Sequence, residues 1–307
     1  MGNLGRQSGA QAKGQAVIVH IVCQRPDVMR ILQQMADYLV RDLGWTISPY
    51  PDETATVNYF FNYADGWWRF SPWSKTPVAA YFTHYESVGH KAALWDECAA
   101  NVALRVCNNE EAARRLRATG MTARVMPVIE LERYTPSAEE RPASPLPIVG
   151  LSGWANNGPR KGAALVEALL DMGWRDRAEW KASGAGWPVR TVSYPLNELP
   201  GFYQSLDYLL CSSTEDAGPA GPVEALACGV PVIVPDTVGL CAELPECAGV
   251  YHYARGDVAD MSRALEQAMD DPRPRPAMML RALVERYTRA NWVEGHRVAF
   301  EMLWGVA

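Results

Sequence analysis

The sequence predicts an α/β protein built of two doubly wound halves with a cleft between them. Short apolar runs alternate with segments of helical spacing, a proline-rich stretch at 135–147 interrupts the alternation, and the alternation then resumes. A chain of 307 residues suits two domains of ordinary size, each able to bury its own core.

In the first half, Val17 to Val22 reads as a strand, and Val28, Ile31, Leu32, Met35, Leu39 and Leu43 recur at helical spacing before Gly44 stops the run. Further strands are expected at Val57 to Phe61, Val78 to Phe82 and Val102 to Cys107, then a helix from Glu110 to Thr119 closed by Gly120. Arg124 to Ile129 is expected to be the last strand of this half. Residues 135–147 carry four prolines and several charges, the composition of a linker. The boundaries implied are a flexible tail at 1–15, a first domain at 16–134, the linker at 135–147 and a second domain at 148–289.

The second half holds helices at Ala163 to Met172 and Asp257 to Met269, and between them the most informative segment. Tyr208 to Cys211 fits a buried parallel strand, Ser212 to Gly221 is turn-rich, and Pro222 to Cys228 can be a short helix with proline in its first turn. Gly229 suits a helix end, Pro231 forbids continuation, and Val232 to Val234 is the next strand. In such a step the helix start points unpaired N–H groups at the crevice beyond the strand ends. Gly218 and Gly221 would let the backbone approach a ligand. The flanking carboxylates Asp216 and Glu224 make sense as acceptors for sugar hydroxyls beside a phosphate.

This segment resembles the signature of the retaining nucleotide-sugar glycosyltransferases of GT-B fold, in the glycogen-synthase-like and mannosyltransferase-like (family 4-type) group. The signature is an acid, seven intervening residues, Glu-Ala and a small-Gly-x-Pro-Val run. It reads here as Asp216, seven residues, Glu224-Ala225 and Cys228-Gly229-Val230-Pro231-Val232, with Ser213 where the family has the serine closing the preceding strand. The first acid is Asp rather than the usual Glu, and Glu215 is the rival for its role. Val149-Gly150 followed by Pro159-Arg160-Lys161-Gly162 resembles the first strand and phosphate loop of the family's second domain, with Leu151 in place of an Arg. Arg160 or the backbone of Asn156-Asn157-Gly158 could substitute for that Arg. Ala182-Ser183-Gly184-Ala185-Gly186 resembles the following strand and glycine turn, residues 127–134 with Pro136 the exit from the first domain, and Asn291-Trp292 the start of a last helix crossing back. The family's glycine-rich loop after the first strand is missing, with Cys23 to Asp27 in its place.

The resemblance implies two Rossmann-like domains, a C-terminal crossover helix over 290–307, and a nucleotide-diphosphate sugar, UDP- or GDP-linked, as co-substrate. It implies donor binding by Glu224, Arg160, Lys161, Gly186, Ser213, Gly218, Gly221 and Val223, and catalytic roles for Asp216, Lys161 and His84. Each has a plainer reading. Glu224 could merely be a carboxylate favoured by about 0.3–1 kcal/mol near a helix start, Asp216 or Glu215 could cap a turn, and Lys161 could be a solvated lysine. His84 could be a hydrogen-bonded structural residue, with Glu86 as its neighbour, although a strand's C-terminal end faces the crevice.

Trp67, Trp68, Arg69 and Trp73 form the densest aromatic and basic cluster. They read either as filling between the domains or as an acceptor platform stacking on sugars or bases. The basic residues Arg114, Arg115 and Arg117 read as a solvated helix face.

Seven cysteines without a C-x-x-C pair argue against a secreted disulfide framework and for a reducing cytoplasm. A net charge of −6 argues against a generally basic nucleic-acid surface, and no apolar stretch reaches the roughly 18 residues of a membrane span. No metal-ligand spacing is found, so the expected chemistry is metal-independent transfer to an acceptor hydroxyl on a saccharide, a small molecule or a hydroxylated DNA base. The alternative is a nucleotide-sugar-binding module whose chemistry has decayed, suggested by the missing glycine loop and Leu151.

Overall fold

The computed structural model describes residues 17–23, 30–63, 76–87, 90–139, 144–155, 159–273 and 276–304. Among these, the strands of the first half are β1 (Val19–Val22), β2 (Thr46–Ser48), β3 (Val57–Phe60), β4 (Val78–Tyr81), β5 (Leu104–Cys107) and β6 (Thr122–Arg124). They form one parallel sheet in the order β2-β1-β3-β4-β5-β6. Its helices are α1 (Arg30–Leu43), α2 (His90–Asn101) and α3 (Glu110–Arg117). Helix α3 starts where the Asn109 side chain accepts the Ala112 N–H at 2.8 Å, and it carries acids in its first turn and arginines in its last, complementing the helix dipole.

In the second half β7 (Ile148–Trp154), β8 (Glu179–Ala185), β9 (Thr191–Val192), β10 (Tyr208–Leu210), β11 (Val232–Pro235) and β12 (Val250–Tyr253) form a second parallel sheet, ordered β12-β11-β10-β7-β8-β9. Its helices are α4 (Ala163–Leu169), α5 (Leu199–Gln204), α6 (Ala220–Ala227), α7 (Val258–Asp270) and α8 (Ala277–Ala282). The order reverses between β7 and β10. Ligands of such sheets collect beyond the strand ends at that reversal, because the flanking connections there leave in opposite directions and open a crevice.

The last helix, α9 (Arg289–Trp304), returns to the first half. Trp292 is wholly buried among first-sheet residues, its indole N–H donates to the Met35 carbonyl at 3.2 Å, and Phe300 packs edge-on to Tyr59.

Several elements differ from expectation for identifiable reasons. The strand expected over Arg124 to Ile129 is cut short: β6 ends at Arg124, the Val125 N–H still bonds the Cys107 carbonyl at 2.8 Å, and Pro127 has no N–H with which to continue the ladder. The Ile129 N–H bonds the Tyr287 carbonyl instead, at 2.9 Å. The helix expected to end at Met172 widens over Leu170–Trp174 around Gly173, at φ 96°, and runs on to Arg177. Helix α6 begins at Ala220, two residues before Pro222, which the first turn tolerates because its N–H groups have no partner within the helix. Helix α2 matches no expectation, because only Trp95, Cys98 and Ala99 are buried along it and its apolar face is narrow.

No helix among the described residues is long and apolar enough to cross a membrane. All seven cysteines are free thiols.

Candidate functional site

A cavity of about 480 Å³ occupies the cleft between the halves, over the ends of β7 and β10. The first half contributes Gln34, Tyr38, Glu130 and Tyr134 to its wall, and the second half Ser152, Arg160, Lys161, Tyr203, Asp216 and Glu224.

The cationic corner comes from a single turn, Pro159–Lys161, tied down by its own backbone. The Arg160 carbonyl accepts the Thr214 N–H at 2.7 Å, and the Lys161 carbonyl accepts the Ser212 hydroxyl at 2.8 Å. Gly162 follows at φ 72°, and a Cβ there would stand 2.0 Å from the Ser212 carbonyl oxygen, so only glycine allows the turn to lie against the end of β10. Lys161 Nζ then reaches Asp216 Oδ2 at 2.6 Å and Arg160 reaches the same oxygen at 3.1 Å, with all three side chains less than a fifth exposed. Burial alone would raise the Asp216 carboxyl. The charges of Lys161 and Arg160 and the Lys161 hydrogen bond outweigh it and hold the group below its usual range.

Glu224 stands in the second turn of α6 rather than at its start, on the cavity wall. Its Oε2 accepts the Tyr203 hydroxyl at 2.6 Å, and the same hydroxyl lies 2.9 Å from Ser152 Oγ. Burial pushes the Glu224 carboxyl up, against the opposing effect of the Tyr203 hydrogen bond. The Tyr134 hydroxyl is buried nearby and approaches the same carboxylate without a well-aligned hydrogen bond, adding to the effect of Tyr203.

His84 lies beyond the end of β4 in a second, smaller cavity of about 150 Å³, whose lining shares only Asp216 with the larger one. Its Nε2 is 2.7 Å from Glu86 Oε1, which also accepts from Lys91 at 2.7 Å. Burial, reinforced by the Arg160 charge, lowers the His84 pKa and favours the neutral ring, although Glu86 opposes this. A neutral ring beside an ionised carboxylate must carry its proton on Nε2, which leaves Nδ1 an acceptor. Glu215, the rival of Asp216, turns away from the cationic corner. It accepts from the Ser87 hydroxyl and, at 3.3 Å, the Ser87 N–H, and it stands 4.0 Å from Arg255.

Of the other residues singled out in the sequence, Ser213, Gly218 and Gly221 line the large cavity. A Cβ on Gly218 would press on the end of the Leu240 side chain at 2.8 Å and one on Gly221 on Ser152 at 3.0 Å, so either addition would make a neighbouring side chain shift. Val223 is buried in the core and Gly186 is exposed, and neither lines the cavity. Leu151 is wholly buried in the core, so it offers nothing to a ligand. Trp67, Trp68, Arg69, Trp73 and the Asn156 to Gly158 loop lie outside the described residues. Tyr203 and Ser152 carried no readable motif, and Tyr134 was read only as part of the exit from the first half, because Tyr203 meets Glu224, and Ser152 meets Tyr203, only through the packing of α5 and β7 against α6. Among the described residues no group of three or more His, Cys, Asp or Glu side chains is arranged to hold a metal ion.

Residues 191–285 match the family model Glycosyl transferases group 1. The chain is 30% identical over 118 residues to the 2-deoxystreptamine glucosyltransferase of Streptomyces kanamyceticus, covering 38% of this chain and 28% of that protein. The matched segments span under a third of the curated relatives, at 28% and 31% of their lengths. Among solved structures, sucrose-phosphate synthase from Thermosynechococcus elongatus superposes with a TM-score of 0.77 at 15% identity, covering 94% of this chain and 99% of that one. Anabaena HepE, solved in complex with UDP-glucose, superposes at 0.68 and 12% identity, covering 94% and 99%. The fold is GT-B, as the motifs over residues 208–232 imply.

Proposed function

We propose that this GT-B chain, whose residues 191–285 match the group 1 glycosyl transferases, moves a sugar from a nucleotide-diphosphate sugar to an acceptor hydroxyl, with retention and without a metal. The observation that carries the reading is the convergence of Lys161, Arg160, Asp216 and Glu224 on one cleft cavity at the reversal of the second sheet. Residues 148–289 hold the nucleotide in this reading. Residues 16–134 with helix α9 present the acceptor, and the Trp67, Trp68, Arg69 and Trp73 cluster is assigned to it.

Each group then has a task its surroundings suit. Lys161 and Arg160 lie against the diphosphate and stabilise charge growing on the leaving group, where low exposure strengthens every charge interaction. A phosphate arriving there shares the cations with Asp216, whose carboxylate turns to the sugar. Glu224 accepts ribose hydroxyls. Neutral His84, on the far side of Asp216, orients the sugar through Nδ1. Closure of the halves excludes water from the transfer. A UDP-sugar is the favoured donor, since HepE was solved with UDP-glucose.

The test is release of nucleoside diphosphate from UDP-, GDP-, ADP- and dTDP-sugars, with and without saccharide and aromatic acceptors, by the intact chain and by Glu224→Ala. Release from one donor, abolished by the substitution, is expected. Nucleotide binding with no release under any acceptor would replace the transferase with a binding module.

A further inference from the structure

Tyr203 is the hub of a short hydrogen-bonded chain that the transfer chemistry does not itself require. It is wholly buried on α5, its hydroxyl donates to Glu224 Oε2 at 2.6 Å, and Ser152 Oγ lies 2.9 Å away on its other side. A phenol has one proton, so once Tyr203 donates to the carboxylate, Ser152 must donate to Tyr203. The chain Ser152 to Tyr203 to Glu224 therefore has one direction, and it pins one oxygen of a carboxylate that lines the cavity. Tyr134 packs edge-on to Tyr203 with ring centroids 5.9 Å apart, is 2% exposed, and its buried hydroxyl approaches the same Glu224 carboxylate without forming a well-aligned hydrogen bond. A buried carboxylate held by one hydroxyl and approached by a second keeps acceptor capacity for a ligand hydroxyl, since each of its oxygens can accept more than one hydrogen bond.

We propose that Tyr203, backed by Ser152, is a positioning residue that aims Glu224 at the ribose hydroxyls of the nucleotide and makes this cleft select ribonucleotides over deoxyribonucleotides. This rests on the reading of the cleft as a nucleotide-sugar site. A deoxyribose would deny the buried carboxylate the hydroxyl it is held to accept, and sites built to bond a hydroxyl reject the analogue lacking it more sharply than they reject a change of size.

Titration calorimetry of the full chain with UDP, 2′-deoxy-UDP and 3′-deoxy-UDP, repeated with the GDP series, measures the selection directly. The wild-type chain should bind the ribonucleotide at least about tenfold more tightly than one of its deoxy forms. Tyr203→Phe keeps the ring and its packing, and should bring that ratio below about threefold by weakening the ribonucleotide while the deoxy form changes little. A merely structural tyrosine would weaken all three nucleotides together. Ser152→Ala reaches the same hydroxyl from behind and should narrow the ratio partway, which decides the matter should Tyr203→Phe fail to fold. An unchanged ratio in Tyr203→Phe, or in Ser152→Ala where that variant decides, overturns the role of the tyrosine alone. A wild-type chain that binds none of the nucleotides overturns the nucleotide reading beneath it.

Discussion

Asp216 and Lys161 show how burial and pairing set the working state of a residue. The aspartate is held ionised only because two cations sit on one of its oxygens, at 2.6 and 3.1 Å. Lys161→Met leaves Arg160 alone against a buried carboxylate. The expected cost in stability is less than the roughly 3–5 kcal/mol of a fully orphaned buried charge. Turnover should fall by about 10²-fold or more, the scale seen when one charge-stabilising group is removed. Turnover within a few-fold of wild type, with the melting temperature preserved, would remove Lys161 from the chemistry. At this scale the sequence was legible where a residue belongs to a spaced motif. Asp216, Glu224 and Lys161 stand together in the cleft, but that Asp216 turns to Lys161 and Glu215 to Ser87 was not readable, since adjacent residues in a loop point in directions that no spacing specifies.

The last helix illustrates what an element contributes beyond its own turns. Helix α9 docks on the first sheet through Trp292 and His296, both wholly buried. His296 Nδ1 donates to the Trp292 carbonyl at 2.9 Å, so its Nε2 accepts the Tyr59 hydroxyl at 3.1 Å and the ring is neutral. Burial lowers its pKa from the ordinary 6.5 to about 4. Between these values the unfolded chain binds a proton that the folded chain refuses. The docking therefore contributes fully above pH 6.5 and weakens as the pH falls toward 4, by about 3 kcal/mol in all at 1.36 kcal/mol per unit. Denaturant melts between pH 7.5 and 4.5 should show this loss, and an NMR titration should place the His296 midpoint near 4; a midpoint between 6 and 7 would mean that water reaches the ring. Only Asn291-Trp292 pointed to this helix in the sequence, and nothing there marked His296 as its buried polar anchor.

At the scale of the molecule, the two halves meet on two sides of the cleft. On one side the connection near residue 131 is held by Arg281, which donates to the carbonyls of Leu131 at 2.8 Å, Tyr134, and Ala227 at 3.0 Å. On the other, Glu243 of the second half accepts the Glu110 N–H at the start of α3 at 2.7 Å and pairs with Arg124, while Glu111 accepts the Gly239 N–H at 3.2 Å. Arg255 stands 4.0 Å from both Glu111 and Glu215. Glu243 is the central group of this second contact, only 13% exposed at its side chain, and hydrogen bonds to charged groups contribute about 1.5–3 kcal/mol each. Glu243→Ala should therefore let the halves part, seen as a larger radius of gyration in solution scattering that added nucleotide reverses. Scattering unchanged from wild type would show that the hinge side alone holds the arrangement.

Local patterns in the chain were enough to place the two α/β halves, the parallel sense of their sheets and the motif positions of Asp216, Glu224 and Lys161. Hydrophobic period, proline and glycine punctuation and a spaced motif are all local, and each is readable wherever it occurs. Tertiary structure alone decided that Tyr203, Ser152 and Tyr134 gather around Glu224, that His84 lies in a separate cavity behind Asp216, and that Glu243 bridges the halves. Those partners are 21 to 133 residues apart along the chain where a hydrogen bond joins them. Their meeting depends on which strands neighbour one another and on how closely two sheets approach, and no window of sequence contains that information.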